Sequence, residues 1–295
     1  MSEGQTTAPF YFVAIHGGAG YHPPSSDSSN RRSLRTAISS ALATLTTISS
    51  SEKSSGGCSL GTSPTALDTA TTLIAALEDS PEFNAGYGSN LTFDGEVECD
   101  AALMDGGTTD GCYTGTFGGV GAVRGVRNPV LLARCVLDAR RQQHSNAELG
   151  LGRVPPLLLV GEGAVRFAAE RGVVVQPAEM VAPRARREWE VWRERWERER
   201  EREQEERRTG DSKDSEVGAD LAMLRARQDT VGAVVVQSDT GDVAAGVSRC
   251  VYSCLPPGRR LFLTRRWFSG GLLLKPSGRI GEVGWFDTTR SVGVG

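Results

Sequence analysis

Residues 230–248 constrain the fold most. Thr230–Gln237 reads T-V-G-A-V-V-V-Q, and its β-branched content makes it a strand. Ser238-Asp239-Thr240-Gly241 follows as a turn and Asp242–Ser248 as a second strand, so the pair reads as a hairpin. A lone hairpin is marginal in water, so the rest of the chain must cover it. Phe10–Ile15 is a third short strand, running into His16-Gly17-Gly18-Ala19-Gly20. The helical cover is legible in Thr65–Glu78, where Ala66, Leu67, Ala70, Leu73, Ile74 and Leu77 recur at three- and four-residue spacings. Arg31–Ile48 reads as a helix fading into a Ser-rich loop over 49–57, and Asn128–Arg141 as another helix. Leu157–Arg171 reads as strand, turn and helix, with Gly161-Glu162-Gly163 in the turn. Asn84–Gly125 is glycine-studded.

Composition narrows the class. Glycine makes up 36 of the 295 residues and hydrophobic residues 39%, which suits a globular enzyme with many tight turns. It excludes collagen, an all-coiled-coil chain and wholesale disorder. A net charge of −3 calls for neither nucleic acid nor a membrane surface. Met1–Phe10 is polar and lacks the basic start and apolar core of a signal peptide, and no stretch has the length of a membrane span. The expectation is an intracellular protein, cytoplasmic or nuclear. The six cysteines show no metal-like C-x-x-C pairing and read as free thiols. With only three histidines, a histidine zinc site is not expected.

Arg184–Arg208 packs 10 Arg and 9 Glu into 25 residues. Trp189, Trp192 and Trp196 fall on one helical stripe, and Arg193/Glu197, Glu194/Arg198 and Arg195/Glu199 stand at i,i+4. This predicts a charge-laced helix docked by its tryptophans; Glu nearly cancels Arg, so no nucleic-acid role follows. Residues 209–219 read as a polar linker.

Three features could carry chemistry. His16-Gly17-Gly18-Ala19-Gly20 follows a strand but matches neither phosphate-loop pattern. Asn84-Ala85-Gly86-Tyr87-Gly88-Ser89-Asn90 is another tight loop. Asp229-Thr230 stands where the linker meets a strand. If that bond were cut, Thr230 would carry both a hydroxyl nucleophile and an α-amine base titrating near ~7.7. Taken alone, a threonine opening a strand is common.

In order along the chain, His16-Gly17-Gly18-Ala19-Gly20-Tyr21-His22, Leu77–Pro81 running into Phe83–Asn90, Gly95–Gly106, Gly119–Ala122, Asn128-Pro129-Val130, Gly152–Pro156, Gly161–Ala164 and Asp229–Val236 resemble one family. It is the type 2 asparaginase class of N-terminal-nucleophile hydrolases, and within it the chain looks most like threonine aspartase (taspase). Glu98-Cys99-Asp100, Gly152-Arg153-Val154-Pro155-Pro156 and the long charged segment before Thr230 carry the narrower likeness.

The resemblance implies a four-layer αββα sandwich. It implies a zymogen that self-cleaves at Asp229–Thr230 into an α part, 1–229, including the charged helix and linker of 184–219, and a β part from 230. Mature Thr230 would act as a threonine protease, cutting protein substrates after aspartate. The alternative is an isoaspartyl peptidase or asparaginase acting on small substrates, and a reading from another class is a non-catalytic remnant binding partners through the Arg/Glu/Trp helix. Ser269, in Ser-Gly-Gly, would hold the nucleophile; Arg279, in Gly-Arg-Ile-Gly, would grip the substrate carboxylate, and Glu282 its amine. The resemblance implies no metal in catalysis and no required cofactor. The loop from Glu78 to Gly88 matches one whose carbonyls hold a structural sodium ion. It also implies a homodimer of αβ units.

The chain departs from the family twice. Val247-Ser248 and Ser269-Gly270-Gly271 would be continuous in relatives, but here Arg249–Phe268 intervenes. Arg249-Cys250-Val251 can be encoded with a splice donor, AG|GTGYGT, and Phe268-Ser269 with an acceptor, TTYAG|Y. Residues 249–268 therefore read as a retained intron whose excision restores Val-Ser-Ser-Gly-Gly. After Glu282 the family pattern is lost, including the later segment that supplies oxyanion donors. The expectation is an incomplete C-terminal part and a 295-residue chain that is inactive or unstable as written.

Overall fold

The computed structural model describes residues 10–18, 24–51, 64–109, 112–113, 116–145, 154–173, 180–209, 230–250, 285–287 and 292–294. It is an α/β structure built on one six-stranded sheet. The strands are β1 (Tyr11–His16), β2 (Glu98–Asp105), β5 (Thr116–Arg124), β6 (Leu158–Val160), β7 (Val231–Gln237) and β8 (Val243–Cys250). Their order is β1-β7-β8-β2-β5-β6, antiparallel throughout except for the parallel β5–β6 pair. Two small antiparallel pairs are not hydrogen-bonded into it: β3 (Thr108–Thr109) with β4 (Cys112–Tyr113), and β9 (Trp285–Asp287) with β10 (Val292–Val294).

The helices are α1 (Asp27–Ser51), α2 (Ala66–Glu78), α3 (Pro129–Ser145), α4 (Gly161–Glu170) and α5 (Pro183–Thr209). α2 packs over β7 and β8, α3 over β5 and β2, and α1 over α2. Alternate residues of β7 (Val231, Ala233 and Val235) join Leu73, Ile74, Leu77, Leu103, Val120, Leu132 and Leu137 in the main core. A second apolar cluster, with Leu91, Val97, Cys99, Met180, Ala182, Ala185 and Cys250, sits under the start of α5. Among the described residues there is this one large sheet; the second sheet expected of a four-layer sandwich is not among them.

Local chemistry sets the helix ends. Thr65 caps α2: its hydroxyl accepts from the Asp68 amide at 3.1 Å, and the Asp68 carboxylate accepts from the Thr65 amide at 3.0 Å. The side chain of Gln237, at the end of β7, accepts from Ala66 N at 3.1 Å and pins the same helix start to the sheet.

The glycine-studded segment 84–125, to which the sequence assigns no strand, contains β2 and β5, the sheet's central strands on this side. They are buried almost throughout, so neither shows polar alternation, and their alanines and glycines carry little strand signal. Gly161-Glu162-Gly163 opens α4 rather than preceding it. β8 also extends beyond Ser248 through Arg249 and Cys250, so the first two residues of the segment 249–268 are laddered into the sheet.

The charged segment is one helix, as its spacing predicts. The Trp189 indole donates to Thr92 O at 2.9 Å, and Trp196 meets the Phe93 ring edge-on at 4.7 Å. Arg193 pairs with Glu197 at 2.7 Å, whereas Arg198 reaches the Glu194 backbone carbonyl instead of its carboxylate.

Candidate active site

Thr230 sits at the mouth of β7, half-buried. The β7–β8 register ends on Val231 opposite Ser248, so one further step sets Thr230 beside Arg249. Arg249 is in turn the cross-strand partner of Asp100 on β2. On the other side, His16 at the end of β1 pairs with Gly232. Burial lowers the His16 pKa and the adjoining Thr230 backbone partly offsets this, so the ring is neutral at pH 7.

Two glycines allow this approach. A Cβ on Gly232 would stand 2.3 Å from His16 Nε2 and 3.0 Å from the Gly246 carbonyl. A Cβ on Gly17 would stand 2.6 Å from the Phe83 ring, so the bare backbone after β1 lets the 83–90 loop close on it. Gly232→Ala is expected to destabilise the protein by about 1–3 kcal/mol, because imidazole and backbone crowd the site from both sides. Urea unfolding of the variant measures it, and an unchanged midpoint would count against this packing.

The loop after α2 packs against the end of β8, beside the Thr230 position. Asn84 is buried; its carbonyl accepts from Cys250 N at 2.9 Å and its side-chain amide donates to Cys250 O at 2.6 Å. Its own Oδ1 accepts from Asn90 N at 2.9 Å. Continued by one more step, the β7–β8 register would bring residue 229 opposite Cys250. Asn84 already fills that slot along β8. β7 begins at Val231, and the Cys250 backbone is paired with Asn84 instead of with a further residue of β7.

Under the sheet lies a buried carboxyl. Glu78 ends α2, and its Oε1 accepts from Val130 N at 3.0 Å. Burial, only partly offset by the Ser248 hydroxyl, the Val130 amide and Asn128, pushes its pKa up to about 8. Glu78 Oε2 and Ser248 Oγ are both buried outside regular hydrogen-bond geometry. A proton on Glu78 would lift the cost of burying a charge there. The signal for Glu78 was present in the sequence: it follows Ile74 by one helical turn on the apolar stripe. The place of Asn84 had no local signal, because it depends on pairing with a residue 166 positions away.

From outside, Arg184 of α5 clasps the same loop. Its guanidinium donates to Pro81 O at 3.1 Å, Gly88 O at 2.6 Å and Asn90 Oδ1 at 3.3 Å. A cavity of about 610 Å³ lies on the helical side, lined by α1, α2 and residues such as Asp79 and Asn128; it does not reach Thr230. Among the described residues, no cluster of three or more His, Cys, Asp or Glu could hold a metal ion, and no helix is long and apolar enough to cross a membrane. Of the expected site residues, Thr230 is placed as above, while Asp229, Ser269, Arg279 and Glu282 lie outside the described residues.

Comparison with known proteins bears on the same segments. A family model described as Asparaginase matches residues 9–259. The isoaspartyl peptidase/L-asparaginase of Rattus norvegicus is 35% identical over 167 residues, covering 57% of this chain and 40% of that protein. The isoaspartyl peptidase/L-asparaginase of Danio rerio is 29% identical over 273 residues, covering 92% and 63%. The plant-type L-asparaginase of Thermococcus kodakarensis is 32% identical over 218 residues, covering 74% and 54%. The chain thus spans less than two thirds of the length of each. These relatives carry the isoaspartyl peptidase and asparaginase names, so the narrower likeness to taspase is not what they share with it. With most of its length matched, the chain belongs to the type 2 asparaginase family of N-terminal-nucleophile hydrolases.

Proposed function

We propose that this protein hydrolyses the side-chain amide of asparagine or the β-aspartyl bond of isoaspartyl peptides, with Thr230 as nucleophile. The observation that carries the reading is the seat of Thr230, at the mouth of β7 with neutral His16 beside it and Asn84 filling the strand slot behind it. The names of the relatives support these substrates over protein substrates.

In this reading Thr230 Oγ first attacks the Asp229 carbonyl. The C–N bond breaks as the ester forms, which frees the Thr230 α-amine, and water then hydrolyses the ester to release the Asp229 carboxylate and restore the Thr230 hydroxyl. The amine then takes the Oγ proton as Oγ attacks the substrate amide carbon. It returns that proton to the departing ammonia or amine, and water releases aspartate from the acyl-enzyme. Arg279 and Glu282 would hold the substrate's carboxylate and amine. A sodium ion in the 78–88 loop remains part of the proposal. The Ser80 and Phe83 carbonyls converge near Gly88 as hard donors, while those of Pro81 and Gly88 already serve Arg184.

The strand slot facing Thr230 holds Arg249, and deletion of 249–268 would bring Ser269 into it. The test therefore uses the 295-residue chain and this deletion form. Each is followed for a fragment beginning at Thr230, then assayed on L-asparagine, a β-aspartyl dipeptide and a peptide with an internal aspartate. The expected result is faster self-cleavage in the deletion form, with turnover of the first two substrates only. No fragment in either form would overturn the reading.

A second reading keeps one specific support. α5 docks on the loop beside the nucleophile through Trp189 and Arg184, which gives a platform for a longer substrate. Cleavage of the internal-aspartate peptide without β-aspartyl turnover would establish that endopeptidase instead.

A further inference from the structure

Cys99 on β2 and Cys250 on β8 are directly opposed partners, both buried and both free thiols. The backbone fixes the kind of pair they form. The N–H and C=O of Cys250 both turn away from β2, to Asn84. In an antiparallel ladder this makes Cys99–Cys250 a non-hydrogen-bonded pair, the kind whose Cα atoms stand about 4.5 Å apart. A disulfide needs Cα atoms about 4.4–6.8 Å apart, so the strands already meet the requirement. The thiols occupy the gap together: Cys99 Sγ is within hydrogen-bonding reach of Cys250, Ser89 Oγ lies 3.1 Å from Cys99 Sγ, and Cys250 Sγ donates to Asn90 O at 3.0 Å.

We propose that Cys99 and Cys250 form a reversible cross-strand disulfide when the protein meets a low-molecular-weight disulfide oxidant. One thiolate attacks the oxidant and expels a small thiol; the other cysteine's thiolate then attacks the mixed disulfide and expels the second. Two cysteine thiols and one small disulfide become one protein disulfide and two small thiols, the cysteine protons passing to the departing sulfurs. The hydrogen bond to Cys250 and burial push the Cys99 thiol well above its ordinary range, so the exchange is slow and follows local opening at the end of β8. The bond would replace the thiol contacts to Ser89 and Asn90, and so stiffen the loop that carries Asn84. In a molecule cut at Thr230 it would also join the two fragments covalently.

The test incubates the intact chain with oxidised glutathione under native conditions, followed by intact mass and peptide mapping. The expected product is two hydrogens lighter, has the Cys99 and Cys250 peptides linked, and reverts with dithiothreitol. A Cys135→Ser variant should behave identically, while Cys250→Ser should not form the product. Glutathione left on either cysteine, a bond to a different cysteine, or unchanged thiols after prolonged incubation would each overturn the proposal. The wild-type map decides the matter even where the buried serine variant fails to fold.

Discussion

Thr230→Ala is expected to abolish both the fragment beginning at residue 230 and amide turnover, with a loss in rate on the order of 10⁴-fold or more. The reason is chemical rather than structural. Alanine keeps the backbone, so β7 still pairs with β1 and β8, but it removes the oxygen that must attack first the chain and then the substrate. Thr230 is only half-buried and gives up just its hydroxyl and one methyl, so stability should change by less than ~1 kcal/mol. Thr230→Ser restores the hydroxyl and should recover part of both reactions. Gel analysis of self-cleavage with ammonia release from asparagine measures the pair. Turnover by the alanine variant matching that of the parent would remove Thr230 from the mechanism. If the alanine protein retained every cellular effect of the parent, the non-catalytic partner-binding reading would gain instead.

Glu78→Gln is expected to raise stability by a few kcal/mol at pH 9 and to change it little at pH 4. In the unfolded chain a glutamate loses its proton near ~4.3, whereas in the fold Glu78 holds it up to about 8. Below both values each state is protonated and the group contributes no pH dependence. Between them the unfolded state binds fewer protons than the folded one, so the parent loses stability as pH rises from about 4.5 to about 8. Glutamine is neutral at every pH, can still accept from Val130 N, and can donate toward Ser248. Its stability curve should therefore lack that slope. Urea titrations of both proteins at three pH values measure the difference; parallel curves would show that Glu78 ionises normally in the fold.

How much of this was legible in the sequence depends on the range of the interaction. The hairpin of β7 and β8, the apolar stripe of α2 and the ion pairs of α5 are local, and their spacings reveal them. β2 and β5 are not legible, because Ala101, Ala102, Gly118, Gly119 and Gly121 sit in strands enclosed on both faces, where neither alternation nor bulk marks a strand. At the site, Thr230 stood out only through its resemblance to known hydrolases. The residues that frame it came from the fold. His16 meets Gly232 across more than two hundred residues, and Asn84 and Cys99 both reach Cys250 across more than a hundred. No local pattern encodes such register. The tryptophan spacing shows that α5 docks, but not that Arg184 would grasp the carbonyls of Pro81 and Gly88.

The strand order has a consequence for what self-cleavage would leave behind. β7 and β8 come from the segment after the cut, yet they are hydrogen-bonded on one side to β1 and on the other to β2, both from the segment before it. Severing one peptide bond at Thr230 would thus turn a single chain into two without freeing either. Release of the later piece would require two ladders to unzip together. The halves would stay interleaved in native solution and separate only in denaturant, and two such pieces made separately would face a harder search for each other than one chain folding on itself.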